Sequence, residues 1–268
     1  VLTPEQLNSF NYNTGSIVSW NWKAGTSFTN DASSTSIGSI DSAGSVSDVS
    51  GFSIVSFTGT GSNGTIKHGL STAPDLFIIK RRDSANDWRV GSSALTNFVK
   101  HVNLNTTAVE SDLAAAFNST GPTTSVFSVG TSVSTNADGG TYIAYCFSSI
   151  KGYSKVGSYV GNGTVDGTFV YCGFKPAFIL QKNTARAGSG WGMFDTTRTP
   201  TNVSKGMLIA SSTAVEDTSD AARVDFLSNG FKWRTTDNWF NDSGAATIFI
   251  AFAENPFVTS TGVPATAR

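Results

Sequence analysis

The sequence predicts an all-β protein: two tandem β-sandwiches of jelly-roll or lectin-like type, arising from an internal duplication. Three observations predict it. Similar stretches recur in the same order about a hundred residues apart, a self-similarity to be sought before any other pattern. The apolar runs are short and rich in Val, Ile, Phe, Tyr and Thr, with Gly, Asn and Asp clusters between them, the pattern of strands and turns. Only 14% of the 268 residues are charged against 39% hydrophobic, so Ser, Thr, Asn and Gly must cover the surface of a sizeable core.

The recurrence can be followed along the chain. GFSIVSFTGTGSNG at 51–64 matches GYSKVGSYVGNGTVDG at 152–167, and PDLFIIK from Pro74 matches PAFILQK from Pro176. Trp88 aligns with Trp191, TAVE at 107–110 with TAVE at 213–216, and Phe127 with Phe231. TYIAYCF at 141–147 aligns with IFIAFAE at 248–254, Tyr142 falling against Phe249. Copy one therefore spans 51–150 and copy two 151–258, with a tail at 259–268. SIVSWNW at 16–22 reads as the closing strand of a third copy, which makes 1–22 the remnant of a preceding repeat. The first residue is Val1 rather than Met, so the natural chain is expected to extend further or to complete a sheet in a neighbouring chain. Residues 23–50, rich in Ser, Gly, Thr and Asp, read as an extended, partly ordered linker; the alternative is that the sparse apolar positions Ile37, Ile40, Val46 and Val49 give short surface strands.

In copy one the clearest strands are 52–57, 76–80, 98–104, 126–129 and 142–147. The last is apolar on both alternating faces and predicts a central strand covered on both sides. Pro74 and Pro176 stand just ahead of strands, where a missing N–H is tolerated. Asn63-Gly64, Asp166-Gly167, Asn229-Gly230 and Gly139-Gly140 supply tight turns. The two TAVE stretches match the capping box, in which Thr and Glu each satisfy a free N–H at a helix start, and predict one helical turn per copy. The alternative gives Glu110 and Glu216 a catalytic role.

The formal net charge of −1 provides no global field toward nucleic acid or an anionic membrane. No apolar run approaches the roughly 18 residues of a membrane helix. Cys146 and Cys172 lie inside apolar runs and read as buried free thiols, with a disulfide as the alternative. They form no zinc pattern with His68 and His101, and no cofactor is implied. Nucleophile elbow, P-loop, HExxH and EF-hand loop are all missing. Of the four Glu, at 5, 110, 216 and 254, two read as caps, which leaves no facing carboxylate pair for a glycosidase. Asp195 reads as a turn residue ahead of Thr196 and Thr197. The expectation is a protein that is not an enzyme. The basic run Lys80-Arg81-Arg82 is replaced by Gln181-Lys182-Asn183 in copy two and reads as a strand end with a solvated or interfacial patch.

Binding is expected of the tryptophans. One of Trp20 and Trp22 should be core, and the recurrence of Trp88 and Trp191 favours packing. Trp233 and Trp239 have no aromatic match in copy one and lie near Asn238, Asn241 and Asp242. A ring beside amides and carboxylates suits a sugar, so Trp233, Asn238, Trp239, Asn241 and Asp242 form the candidate ligand site.

The stretch GFSIVSFTGTGSNGTIKHGLSTAPDLFIIKRRDSANDWRV, the segment LNTTAVE, SVFSVGTSVSTNADGGTYIAYCF, GYSKVGSYVGNG and the closing FIAFAENPF resemble a repeat domain of tailed-bacteriophage virion proteins, above all of marine and cyanobacterial phages. The resemblance covers most of residues 11–258. Members are commonly labelled tail fibre or structural protein. It implies a virion component displayed outward: a receptor-binding adhesin of the tail, or a capsid decoration or other purely structural protein. A polysaccharide-degrading tailspike is disfavoured by the missing carboxylate pair. The implied partners are further copies of the chain, a trimer by analogy with phage fibres, other virion proteins and a host surface glycan, with no nucleic acid and no membrane insertion. It carries over no ligand-binding residue.

Overall fold

The computed structural model describes residues 17–112 and 114–255. In chain order the first part contains β1 (Thr26–Asn30), α1 (Ala32–Thr35), β2 (Ser42–Ser47), β3 (Phe52–Thr58), β4 (Gly64–Lys67), β5 (Leu76–Arg81) and β6 (Arg89–Ser92). It continues with β7 (Lys100–Asn103), β8 (Ser111–Asp112), α2 (Ala114–Phe117), β9 (Val126–Val129), α3 (Val133–Asn136) and β10 (Thr141–Phe147). The second half contains β11 (Ser154–Val160), β12 (Phe169–Tyr171), β13 (Pro176–Asn183), β14 (Gly192–Asp195), β15 (Leu208–Ile209), β16 (Val224–Leu227), β17 (Gly230–Trp233) and β18 (Ala246–Ala253). The protein is all-β, as its composition and turn spacing predict, and each helix is a single turn.

The strands form four antiparallel sheets: β1-β2-β3-β10-β5-β6-β7-β8, β11-β18-β13-β14-β15, β12-β17-β16 and β4-β9. In each half the large sheet packs one face against the small one. Ile66, Phe127 and Val129 of the first small sheet meet Val55, Phe57, Phe77 and Tyr142. Val170, Phe231 and Trp233 of the second meet Ile179, Phe194 and Phe249. The opposite faces of the two large sheets then pack on each other. Phe52, Leu76, Val90 and Phe147 from the first half meet Val156, Phe178, Ile250 and Phe252 from the second. The order of layers is small, large, large, small.

This stacking explains the apolar strands. On β10, Tyr142, Ala144 and Cys146 point into the first half's own core, while Tyr145 and Phe147 point into the shared one. A strand between two packed layers has no solvent face, so both alternating positions are apolar.

The ladders of the two halves have the same register. Phe57 and Arg81 flank Tyr142, and Tyr159 and Asn183 flank Thr247. Ile66 pairs with Phe127, and Val170 with Phe231. Val90 pairs with Val102, and Met193 with Leu208. The position equivalent to Tyr142 is therefore Thr247, not Phe249. Sliding by two residues keeps the same faces inward, so alignment by hydrophobicity alone does not distinguish the two.

Three other expectations are corrected. No strand forms over 17–22. Its alternation is real, with Trp20 and Trp22 half-buried between exposed neighbours, but the rings rather than the backbone hold it. Trp22 packs 5.3 Å from Phe252 and Trp20 5.2 Å from Phe178, both in the shared core. The rest of that expected remnant, 1–16, and the tail 259–268 lie outside the described residues. The expected linker 23–50 is built into the large sheet: β1 pairs with β2 and β2 with β3, so its Ser-rich residues satisfy a sheet edge. The TAVE stretches are not helical. The Glu110 N–H donates to the Thr184 carbonyl at 2.8 Å, and the Thr107 carbonyl accepts from the Gly188 N–H at 3.1 Å. These bonds to the other half hold 107–110 out of a helix, and 213–216 is non-helical without such bonds. The Glu110 carboxylate meets Lys100 Nζ at 2.7 Å, and the Glu216 carboxylate meets Arg198.

Phe252→Ala should lower stability by about 3–5 kcal/mol. Because its ring touches both halves, denaturant titration followed by fluorescence and by circular dichroism should still give one coincident transition. Acid should also weaken the fold. Burial holds both histidines below their ordinary pKa of 6.5, His68 beside the Thr123 carbonyl and His101, near the Arg89 guanidinium, pushed down to about 4. The unfolded chain takes up these protons below about 6.5 and the folded chain does not, so stability should fall as pH drops from 6.5 toward about 4. Denaturation midpoints at stepped pH check this, and His101→Gln should flatten the slope.

Candidate binding surfaces

The five residues expected to form a ligand site do not converge. Trp233 is fully buried, its ring stacked on Phe240 at 4.8 Å and edge-on to Phe194 at 5.4 Å. Asn241 is fully buried too. Its amide donates to the Thr164 carbonyl at 2.8 Å and the Thr235 carbonyl at 2.9 Å, and its Oδ1 accepts from the Asn162 N–H at 2.9 Å. Asn241 thus ties its own loop, 234–245, to the 161–168 loop at one end of the sandwich. Asn136 does the same in the first half, donating to the Ser62 and Gly130 carbonyls and accepting from the Thr60 N–H at 2.9 Å. Beside each tie the chain passes a glycine. A Cβ on Gly59 would lie 2.3 Å from the Ala137 carbonyl oxygen, and one on Gly161 2.2 Å from that of Asp242. Neither site admits a side chain.

The other three residues stay near the surface. Asn238 is exposed, and its carbonyl accepts from Asn183 Nδ2 at 2.7 Å. Trp239 is half-buried beside Phe240 and over Gly190, and Asp242 faces Arg186 at 3.4 Å. They sit at loop ends rather than around a common cleft with Trp233 and Asn241. The sequence argument placed aromatics next to amides along the chain, but alternation on β17 sends Trp233 inward while its neighbours point out.

The acidic residues are engaged as well. Asp195 accepts from the Thr197 and Arg198 N–H groups at 3.0 and 2.8 Å and pairs with Arg198 Nε at 2.5 Å, a turn role. Among the described residues no three His, Cys, Asp or Glu side chains converge as metal ligands. Cys146 and Cys172 are free and buried in different cores, and burial pushes both thiols up to about 12.

Among the described residues, three of the features open to a ligand or partner are an apolar cavity, a recess and a sheet face. An apolar cavity of about 360 Å³ lies between the large sheets, lined by Trp20, Trp22, Tyr145, Leu180, Trp191 and Met193. A recess of about 480 Å³ on the first half is lined by Lys80, Asn86, Asp87, Trp88, Asn105 and Ser134. The third is the outer face of the second small sheet. Phe169 and Tyr171, two apart on the edge strand β12, share its outward side at 42% and 63% exposure. Phe169 pairs across the ladder with Lys232. Lys232 and Arg234 both meet Asp166 at 2.7 Å, and Arg234 also meets Asp225 at 2.6 Å. These cations hold the Asp166 carboxyl below the usual range, Lys232 foremost. The sequence signal was TFVYCGF at 168–174, where Phe169 and Tyr171 alternate with Val170 and Cys172.

The family profile described as a domain of unknown function, DUF7483, matches residues 2–256. The chain belongs to the DUF7483 family. One profile spans both halves and the extended entry segment, as a single folded unit with a shared core requires. Comparisons with curated proteins and with solved structures gave no match.

The loop ties of this DUF7483 chain generate a prediction. Asn241→Ala removes both amide donors and leaves two loop carbonyls without their partner, at a cost of about 3 kcal/mol. Asn136→Ala should cost about the same, and thermal unfolding of the two variants beside the wild type checks it.

Proposed function

We propose that this DUF7483 chain is a component of a tailed-bacteriophage virion, a tail fibre or other receptor-binding part that recognises saccharide on the host surface, and that its halves descend from one duplicated unit. The observation that carries the recognition role is the outward pair Phe169 and Tyr171. Aromatic faces stack on the apolar C–H faces of sugar rings, and neighbouring charged groups exchange hydrogen bonds with hydroxyls. Lys232, Arg234 and Asp166 stand beside the pair in an arrangement already fixed by ion pairs, so little ordering is needed on binding. The virion assignment rests on the resemblance of the repeated motifs. The matching ladder registers support the duplication.

A purely structural role, such as capsid decoration, is the second reading. It is favoured by the shared core, which makes the halves one stiff body suited to a scaffold.

The test is adsorption of the purified chain to host cells together with a glycan array. The double variant Phe169→Ala/Tyr171→Ala should fold normally and bind about tenfold more weakly or worse, since aromatic contacts contribute about 0.5–1.5 kcal/mol each beyond area. Unchanged binding would remove the site. No binding by the wild type, with antibody labelling spread over the phage head, would select the structural reading.

A further inference from the structure

The two halves present the same pair of features, and only one pair is engaged. In the second half the recess around Trp191 is filled by the first half's own chain. The Trp191 indole N–H donates to the Asn103 carbonyl at 2.8 Å, the Gly188 N–H to the Thr107 carbonyl at 3.1 Å, and the Glu110 N–H to the Thr184 carbonyl at 2.8 Å. Lys182, beneath this cover, is fully buried and donates to the Ser189 carbonyl.

The ladder registers fix the equivalents. Thr184 corresponds to Arg82, whose N–H donates to the Thr141 carbonyl as that of Thr184 does to the Ala246 carbonyl. Trp191 corresponds to Trp88: each carbonyl accepts from the residue after the paired strand, Ala210 and Leu104 respectively, both at 3.0 Å. Lys80, like Lys182, donates to a carbonyl ahead of the tryptophan, here that of Asn86 at 2.6 Å. In the first half, however, this recess is open, and Trp88 and Lys80 are only half-buried.

The docking segment has an equally open twin. Residues 212–216 repeat the TAVE motif, all five are exposed, and Val215 is 89% exposed. Charge matches the open pair as well. Lys80 lines the recess and Arg81 and Arg82 follow it on the chain, where the filled one has Lys182, Asn183 and Thr184, and the free segment ends in Glu216-Asp217. Docked as 107–110 is docked, Glu216 would lie at Arg82. Arg82 is exposed and has no ion pair among the described residues.

We propose that segment 209–216 of one copy docks into the Lys80–Trp88 recess of a second copy, beside Arg82, repeating between chains the contact that 103–110 makes within one. The Arg82 carbonyl would accept from the Glu216 N–H, the Thr213 carbonyl from the Ala85 N–H, and the Trp88 indole would donate to the Ile209 carbonyl. Because donor and recess lie on different halves, exchange between two chains closes a dimer, and unreciprocated docking extends a chain of copies. The inference rests on the contact between the halves and is independent of the saccharide reading.

The test uses the full chain. Sedimentation velocity should show larger species growing with concentration. Association should weaken between about 0.05 M and 0.5 M salt, because exposed opposite charges are screened. Val215→Asp, at an exposed position outside either core, should weaken it about tenfold, by repulsion from Asp87 and loss of an apolar contact. Trp88→Phe, which removes the indole donor and keeps the ring, should weaken it too. The address is checked by mixing a chain carrying Ala85→Cys with one carrying Thr213→Cys. Oxidation should link the mixed pair, while Cys146 and Cys172 stay protected in their cores. A single species at every concentration with no mixed cross-link would overturn the proposal. So would a double variant, Ala85→Cys/Thr213→Cys, that cross-links only within its own chain, since that outcome assigns the recess to closure of the same molecule.

Discussion

The contact on which the molecule depends is the apolar face shared by the two large sheets. Phe147, Phe178 and Phe252 meet there with Trp22 laid against all three, at ring separations of 5.3 to 6.3 Å. A sandwich of one large and one small sheet would leave the outer face of the large sheet in water, and on β18 that face carries Ile248, Ile250 and Phe252. Such a patch on a lone half is the kind that drives association. Each half therefore supplies the other's missing layer. This accounts for the unusually apolar closing strands and for a surface left to Ser, Thr, Asn and Gly. It also explains why a single family profile runs across both halves.

Within this frame the halves agree in their ladders and differ at their edges. In the first half the edge strand β3 is covered by β2 and then β1. In the second half β11 ends the sheet, with no further strand beside it among the described residues. Exposed edges invite unwanted pairing, and β11 blunts its own with Lys155 and Gly157 along a seven-residue run. The segment that reads as a polar linker is thus an edge cover. Gly44 on β2 shows how closely it is applied: a Cβ there would lie 2.2 Å from the Ile54 carbonyl oxygen.

The sequence makes the β class and the central strand legible, because both are written in a period-2 pattern. Strand 126–129 is read with its observed bounds, and 142–147 to within one residue. What stays illegible depends on partners distant in the chain. Thr-Ala-Val-Glu satisfies the local rule for a helix start, yet at 107–110 Thr184 and Gly188 bond its backbone from the other half, and at 213–216 no helix forms either. Trp233 sits among amides in sequence and among Phe194, Phe231 and Phe240 in space. Asn136 and Asn241 look like turn residues, and nothing local marks them as buried ties. The equal spacing of Trp88 and Trp191 suggests one shared role, but Trp191 is core and Trp88 is half-open. Their difference comes from what covers them, and the sequence local to either tryptophan does not encode that.

Lys182 measures how strongly that cover is held. Its counterpart Lys80 keeps its ammonium at the surface over the Trp88 ring, at 5.9 Å. Lys182 has no exposed surface, donates only to the Ser189 carbonyl, and is pushed down to about 8 by burial, with no carboxylate beside it. Taking an ammonium out of water without a counter-ion costs several kcal/mol, and the three backbone-acceptor bonds across the junction contribute only about 1 kcal/mol each. Those bonds alone do not offset a buried lysine. The balance comes from the shared apolar face, which clamps the halves together and holds the 103–110 segment against Thr184, Gly188 and Trp191. The polar junction gives the contact its register, and the aromatic face gives it its strength.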